Sequence, residues 1–199
     1  MGALTMIDLL RHGEVQGGSA FRGSTDDPLT DIGLQQMWRA TGTKRGWDRV
    51  ITSPLQRCAG FAEEFAWQRS LPLVVDERLQ EMHFGAWEGL PAADIMAHTP
   101  DALARFWNDP EQHSAPGGEP LALFRARVLE AWGDITRQYA GERLLLVTHG
   151  GVIRVLLSHV QNRPLGKLLE IEVRHGALLS LRIDGSDKRS AALQPLGRG

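Results

Sequence analysis

Short apolar runs alternate along this chain with longer segments in which apolar residues recur at helical spacing. The runs are too short for helices and end at polar loops, as buried strands do. Helix start signals fall between the runs, with Thr30 as an N-cap and Pro54 in a first turn. This alternation predicts an α/β sandwich with a mostly parallel sheet. The predicted strands are residues 6–10, 50–52, 73–75, 144–148, 168–173 and 177–183.

The segments between the strands predict the helices. Helices are expected at about 31–44, from Pro54 to about 69, over most of 91–140 and from Gly150 onward. A loop at 108–118, rich in proline and glycine, interrupts the long helical segment. We expect one domain over 1–199, with a helical, cap-like excursion at about 88–118. The last sixteen residues are polar and rich in glycine, so they are expected to be partly loose.

Two of the predicted strands end in the same dipeptide, His-Gly. His12 and Gly13 follow the first strand, and His149 and Gly150 follow the strand at 144–148. Ligands bind beyond the carboxyl ends of parallel strands, and a glycine lets the backbone approach a ligand closely. If the two strands are neighbours, His12 and His149 meet at one edge of the sheet.

Charge and cysteine content narrow the possible partners and the compartment. The formal net charge is −2 over 199 residues, so we expect neither a nucleic acid nor a membrane as partner. Asp8 and Arg11 interrupt the first apolar run, which argues against a signal peptide or a membrane span there. The single cysteine, Cys58, excludes an internal disulfide and fits a reducing compartment, so a cytoplasmic location is expected.

Several common types of active site are excluded because a residue that each requires is absent from the sequence. A cysteine phosphatase would need an arginine six residues after Cys58, where Glu64 stands, so Cys58 is expected to be a small buried residue. The loop at 18–25 mimics a phosphate-binding P-loop, but Ser24 occupies the position of the lysine. The aspartates at 26–27 have no other close metal-ligating residues and fit a turn. We therefore expect no metal and no other cofactor.

Ordered blocks of sequence resemble the signature of the histidine phosphatase superfamily, which includes the cofactor-dependent phosphoglycerate mutases. The resemblance extends over about residues 6–183 and implies a three-layer α/β/α, phosphoglycerate mutase-like fold. The blocks are 10–14 (LRHGE), 27–33 (DPLTDIG), 52–57 (TSPLQR), 79–89 (LQEMHFGAWEG) and 147–151 (VTHGG).

Within that superfamily, residues 81–88 and 107–109, with Gly118 and Glu119, are similar to the alpha-ribazole phosphatases. The implied reaction is hydrolysis of a small phosphate monoester, alpha-ribazole 5′-phosphate, in cobalamin synthesis. The residues at 15–17 (VQG) depart from the mutase pattern, which favours hydrolysis. The alternatives are a broad-specificity or sugar-phosphate phosphatase, a phosphoglycerate mutase and, from another class, a phosphate-binding regulatory protein without turnover.

The resemblance also implies roles for five residues, and phosphoryl-transfer chemistry agrees with them. His12 would be the nucleophile that forms a phosphohistidine without a metal. Arg11 and Arg57 would clamp the phosphate oxygens, since guanidinium groups bind them bidentately. His149 would stabilise charge on the same oxygens, and Glu81 would be the general acid for the leaving alcohol.

A second group of residues is predicted with less specific roles. Glu14 would steer a neighbouring arginine, and His83 would face the pocket. Arg22, Gly23 and Ser24 would contact the phosphate or its substituent. Surface or structural positions are expected for His98, His113, His159 and His175, and core positions for Phe84, Trp87 and Trp107, one of which could instead flank a planar leaving group.

Overall fold

A six-stranded sheet lies at the centre of the computed structural model, which describes residues 4–42, 44–184 and 191–194. The strands are β1 (Leu4–Arg11), β2 (Arg49–Thr52), β3 (Leu73–Val75), β4 (Arg143–Thr148), β5 (Leu178–Asp184) and β6 (Ala191–Gln194). Their spatial order is β3-β2-β4-β1-β5-β6. The first four strands in this order are parallel, whereas β5 pairs antiparallel with β1 and β6 antiparallel with β5.

Helices cover both faces of the sheet and complete a three-layer α/β/α sandwich. They are α1 (Asp31–Thr41), α2 (Gln56–Arg69), α3 (Ala92–His98), α4 (Pro100–Asn108), α5 (Leu121–Gln138) and α6 (Gly150–Val160). Alternate side chains of a strand point to opposite faces. Leu145 and Val147 of β4 therefore pack with α1 and α2, while Leu144 and Leu146 pack with the other helices. The predicted fold class is confirmed. None of the helices in the described ranges is long and apolar enough to cross a membrane.

Most of the predicted elements are present, with small shifts at their ends. Thr30 caps α1 as predicted, because its hydroxyl accepts the Gly33 N–H at 3.0 Å. This helix ends at Thr41, earlier than predicted, and Pro54 precedes α2 instead of lying in its first turn. The loop at 108–118 separates α4 from α5 as expected.

The predicted strand at 168–173 is wrong. The chain forms a 3₁₀ helix over Leu165–Glu170, followed by irregular backbone. Leu165, Leu168 and Ile171 recur every third residue, and three residues make one 3₁₀ turn, so all three side chains pack against the core. Strand β6 was not predicted, because it falls in the segment expected to be loose. The rest of that segment, 185–190 and 195–199, lies outside the described residues.

Aromatic side chains connect the 84–108 region to the loop after β1. Phe21 packs against Phe84, Trp87 and Phe106 with ring centroids 5.1, 5.6 and 6.4 Å away. Phe84 and Trp87 thus belong to the core as expected. The expectation is wrong for Trp107, which is 45% exposed because it projects from the outer side of α4.

Candidate active site

The ends of β1 and β4 bring His12 and His149 together. The two strands are parallel neighbours, with Arg11 opposite Thr148, and the His12 N–H donates to the Thr148 carbonyl at 2.9 Å. The two imidazole centroids are 5.3 Å apart at an angle of 60°, and both residues are buried. The predicted meeting of the two histidines at one sheet edge is confirmed.

One hydrogen bond determines which nitrogen of the His12 ring is protonated. Nδ1 lies 2.7 Å from the Gly13 carbonyl, which can only accept, so Nδ1 carries the hydrogen. A Cβ at Gly13 would lie 2.0 Å from the Gly33 carbonyl oxygen, so no larger residue fits there. Burial, then the Arg11 cation, lower the pKa of His12 well below its ordinary value. The ring is therefore neutral at pH 7, with a free lone pair on Nε2.

Arg57 of α2 is almost fully buried, 1% exposed, and supports His149. Its Nη1 and Nη2 donate to the carbonyls of Thr25 and Gly23 at 2.6 and 2.7 Å, and its Nε lies 3.3 Å from Nδ1 of His149. Because a guanidinium only donates, Nδ1 accepts. The His149 Nε2–H then donates to the Ser53 hydroxyl at 2.7 Å. Burial and the Arg57 charge lower the pKa of His149 well below its ordinary value.

Arg11, the last residue of β1, is held at both ends of its guanidinium group. Nη1 donates to the Val173 carbonyl at 2.6 Å, and Nη2 donates to Nε2 of His175 at 3.0 Å. The Arg11 Nε is buried and has no hydrogen-bond partner within the described ranges. An unpaired buried donor is costly, and an anion bound beside it would remove that cost.

Glu81 presents its carboxylate to the start of α6. Its Oε2 accepts the Gly151 N–H at 2.9 Å, and its Oε1 accepts the Met82 N–H at 3.1 Å. The positive end of a helix dipole stabilises a carboxylate at this position. A Cβ at Gly151 would lie 2.1 Å from Oε1, so the approach requires glycine.

The backbone that leads to Glu81 is held by Arg127 of α5. Its Nη1 donates to the carbonyls of Arg78 and Gln80, both at 2.8 Å, and its Nη2 donates to the Glu81 carbonyl at 3.0 Å. Glu119 accepts from Arg127 in turn, through an ion pair of 2.8 Å. Arg127 was not predicted as a site residue, since nothing in its local sequence shows that it reaches these carbonyls.

Arg11, His12 and Glu81 line a cleft of about 490 Å³ whose rim is the loop after β1, whereas the buried side chains of Arg57 and His149 are not among its lining residues. Glu14 lines this cleft, and its Oε1 accepts the Thr30 hydroxyl hydrogen at 3.0 Å. Within the described ranges its hydrogen-bond partner is thus Thr30 and not the predicted arginine, because Thr30 at the start of α1 lies beside it. The lining residues are Arg11, His12, Glu14, Val15, Gln16, Gly17, Gly18, Ser19, Ala20, Arg22, Thr30, Glu81 and His175.

Arg22 lines the cleft and also holds its loop, since it pairs with Asp27 at 2.5 Å and donates to the carbonyls of Gly18 and Gln16. Gly23 and Ser24 do not line this cleft. Their N–H groups donate to the Glu88 carboxylate, at 3.0 and 3.2 Å.

Glu88 collects the backbone donors of this loop. Burial alone would raise the pKa of Glu88. Hydrogen bonds from Thr25 and from backbone N–H groups outweigh this effect and keep the pKa of Glu88 below its ordinary value. Glu88 therefore holds this loop in place. No role was predicted for it, although it lies in the 79–89 block.

His83 does not line the first cleft as predicted, whereas His175, exposed as expected, does. His83 is exposed and lines a separate cleft of about 400 Å³ on the other side of Glu81, where the residues around it include Arg127 and Glu119. His175, expected at a structural or surface position, lies in the first cleft with its ring 5.5 Å from that of His12. The cause is the turn before β5, which folds back onto the end of β1.

No Phe, Trp or Tyr side chain is among the residues that line the first cleft in the described part of the chain, so the suggested aromatic wall is wrong. Across residues 4–42, 44–184 and 191–194, no group of three or more His, Cys, Asp or Glu side chains is arranged to hold a metal ion.

Similar sequences occur in bacteria and plants. The chain is 32% identical over 188 residues to the "Bifunctional protein Rv2228c" of Mycobacterium tuberculosis, covering 92% of this chain and 49% of the relative, so it spans about half of that protein. It is 31% identical to the "Metal-independent phosphoserine phosphatase" of Arabidopsis thaliana, covering 85% and 75% of the two chains. It is 28% identical to the "Adenosylcobalamin/alpha-ribazole phosphatase" of Escherichia coli, covering 88% and 89%.

The fold is shared with solved structures. The structure titled "Bacillus stearothermophilus YhfR" superposes with a TM-score of 0.85 at 29% identity, over 95% of each chain. A sequence model described as "Histidine phosphatase superfamily (branch 1)" matches residues 7–194. The three-layer sandwich with its mostly parallel sheet is thus phosphoglycerate mutase-like, and the chain belongs to the histidine phosphatase superfamily, branch 1.

Proposed function

We propose that the chain hydrolyses phosphate monoesters through a phosphohistidine on Nε2 of His12, without a metal ion. The observation that carries the proposal is the state of the His12 ring, which is neutral, hydrogen-bonded through Nδ1 to the Gly13 carbonyl and placed in an open cleft. An imidazole in this state is a nucleophile at neutral pH without a separate base. Arg11 precedes His12 at the end of β1, and its Nε has no hydrogen-bond partner within the described ranges.

In the first step, Nε2 of His12 attacks phosphorus while the bond from phosphorus to the leaving oxygen breaks. The leaving oxygen takes a proton from the carboxyl group of Glu81, which is left as a carboxylate. Arg11 and Arg57 offset charge on the other phosphoryl oxygens. The negative charge on these oxygens favours uptake of a proton from solvent on Nδ1 of His149. Nδ1 then donates to the phosphoryl group instead of accepting the Arg57 Nε–H, while Nε2–H keeps its bond to Ser53.

In the second step, water attacks the phosphohistidine and Glu81 takes a proton from that water. The bond between phosphorus and Nε2 breaks, inorganic phosphate leaves and His12 returns to its neutral form. The backbone N–H groups that hold Glu81 at the start of α6 keep its carboxylate in place for both steps.

Rapid labelling with a radiolabelled aryl phosphate, quenched with alkaline detergent, tests this mechanism. Wild-type protein is expected to show a burst of label that is stable to base and labile to acid, and His12→Ala is expected to show neither label nor turnover. Turnover should be unaffected by a chelator. Near-wild-type turnover of His12→Ala, or loss of activity with the chelator, would overturn the proposal. Phosphate binding without label or turnover would instead favour the regulatory protein.

For the substrate we propose alpha-ribazole 5′-phosphate. The proposal is supported by residues 81–88, 107–109 and 118–119 and by the similarity to the Escherichia coli relative. Phosphoserine is the second candidate, because the Arabidopsis relative named for it has a slightly higher identity, 31%. The absence of an aromatic wall from the described cleft gives no added support to a planar leaving group.

A comparison of kcat/KM over alpha-ribazole phosphate, phosphoserine, nucleotides, sugar phosphates and phosphoglycerates tests the substrate. A preference of at least about tenfold for one compound would identify its class, since a tenfold ratio corresponds to about 1.4 kcal/mol of transition-state binding. A flat profile would contradict the alpha-ribazole assignment and favour a broad-specificity phosphatase. Formation of a phosphoglycerate isomer in place of free phosphate would favour a mutase.

With alpha-ribazole 5′-phosphate as substrate, the reaction belongs to cobalamin synthesis. We also infer that it takes place in the cytoplasm. The support is the single cysteine, Cys58, which is buried and whose thiol pKa is raised by that burial, so it packs as an inert residue and forms no disulfide. Cell fractionation with an antibody against the chain tests the location, and recovery outside the cytoplasm would contradict it.

A further inference from the structure

His175 lies in a turn that packs against the end of β1. The N–H of the next residue, Gly176, donates to the His12 carbonyl at 3.2 Å. The Arg11 N–H donates in the other direction, to the Ala177 carbonyl at 3.0 Å. The backbone on the C-terminal side of His175 is therefore fixed against the two residues at the end of β1.

The side chain of His175 takes part in the same contact. Its Nε2 lies 3.0 Å from Nη2 of Arg11, and its ring centroid lies 5.5 Å from that of His12. Since the guanidinium only donates, Nε2 accepts and the hydrogen of the ring is on Nδ1. Loss of hydration, then Arg11 and Arg22, lower the pKa of His175 to about 4 against the opposing charge of Glu14. His175 is therefore a neutral acceptor at pH 7.

The Arg11 guanidinium is thus restrained at both of its terminal nitrogens. Its two terminal nitrogens donate to the Val173 carbonyl and to His175, while Nε is buried without a partner in the described ranges. An arginine carries five N–H groups in a rigid plane, so fixing the two terminal nitrogens also fixes the direction of the Nε–H.

We propose that His175 is a positioning residue for Arg11: its neutral ring accepts from Nη2 and holds the guanidinium plane so that Nε–H faces the phosphoryl group. This inference rests on the proposed function, because it requires a phosphoryl group beside Arg11. It predicts a role in phosphate affinity and not in the chemical step.

Calorimetric titration with inorganic phosphate, together with kinetics on an aryl phosphate, tests the role of His175. His175→Ala is expected to weaken phosphate binding and raise KM about tenfold, in line with the loss of one hydrogen bond to a charged group, with kcat within about threefold of wild type. His175→Gln should bind almost as wild type, because its side-chain amide reaches the position of Nε2. His175→Asn is one carbon shorter and should behave like the alanine variant. His113→Ala, at an exposed histidine that does not line the cleft, is the matched control.

A double variant shows whether His175 acts through Arg11. In an Arg11→Ala background, His175→Ala should cause no further loss of phosphate affinity. Wild-type affinity in His175→Ala, equal losses in the folded Gln and Asn variants, or additive losses in the double variant would each overturn the proposal. If the alanine variant fails to fold, the Gln and Asn pair decides. Phosphate binding needs no turnover, so a wild-type protein that binds phosphate but forms no phosphohistidine would contradict the proposed function and leave this test intact.

Discussion

Nε of Arg57 lies 3.3 Å from Nδ1 of His149, and both side chains are buried. Burial, then the Arg57 cation, lower the pKa of His149 and keep its ring neutral at pH 7. The other nitrogens of the same guanidinium hold the loop carbonyls of Gly23 and Thr25. Arg57 therefore belongs to the core packing and to the candidate active site together, and its replacement should affect both.

Arg57→Ala is expected to lower the free energy of unfolding by about 3 kcal/mol, because two buried carbonyls lose their donors. It should also lower kcat/KM at least about a hundredfold, since a cation is lost from the phosphoryl site. Arg57→Lys should recover only part of either loss, because an ammonium group cannot replace the planar fork. Urea unfolding and kinetics measure the two effects. Arg39→Ala, at an exposed arginine of α1, is the control. Full recovery in the lysine variant would contradict this account.

Ser53→Ala removes the acceptor of the His149 Nε2–H, which lies 2.7 Å from the hydroxyl. The buried donor that remains should cost about 1–3 kcal/mol of stability. The imidazole is then free to rotate away from the phosphoryl group, so we expect kcat to fall about tenfold or more. Ser114→Ala, in an exposed loop, should leave both quantities unchanged. If kcat is unchanged in Ser53→Ala, then the hydroxyl does not orient His149.

The two central histidines of this site could be predicted from the sequence, whereas the residues that hold the central side chains in place could not, for a physical reason. His12 and His149 were found because each ends a strand, and the parallel pairing of those strands brings them together. The strand at 168–173 was predicted from an apolar run, although Leu165, Leu168 and Ile171 have the spacing of three that a 3₁₀ helix requires. His175, Ser53 and Arg127 act through contacts made across the fold, to a guanidinium, an imidazole and backbone carbonyls. Such contacts leave no local pattern in the sequence.

The buried histidines also predict how stability depends on pH. The folded-state pKa values of His12 and His149 lie below the ordinary value of 6.5. The unfolded chain therefore binds more protons, so stability should fall as pH drops below about 6.5, by up to about 1.4 kcal/mol per pH unit for each histidine. Urea unfolding between about pH 7 and pH 5 measures this slope. His149→Asn should reduce the slope by about one proton, whereas His113→Ala should not. A slope unchanged in His149→Asn would contradict the assignment.

Glu81→Gln tests the proposed acid. The amide keeps the size of the side chain but cannot donate a proton to the leaving oxygen, so kcat should fall by about a hundredfold or more. Binding of vanadate should change by less than about threefold, because Arg11, Arg57 and His149 are retained. The matched control is Glu77→Gln, which lies outside the first cleft. Equal losses in vanadate affinity and in kcat would exclude the acid role and assign Glu81 to phosphate binding.

Arg127→Gln should weaken the same step indirectly. Arg127 donates to the carbonyls of Arg78, Gln80 and Glu81, so its loss should loosen the backbone that carries the acid. A displaced acid matters most when the leaving alcohol is poor, since a nitrophenolate leaves without a proton. We therefore expect kcat to fall about tenfold more for an alkyl phosphate than for nitrophenyl phosphate, with phosphate affinity unchanged.

The matched control is Arg137→Ala, which removes an exposed arginine from the same helix. Thermal unfolding of each variant checks that the fold is retained at the assay temperature. In Glu81→Gln the Arg127 change should cause little further loss on the alkyl phosphate, because the group that it positions is already inactive. Equal losses on both substrates, or a full additional loss in that double variant, would show that Arg127 supports the fold or the phosphate site and does not position Glu81.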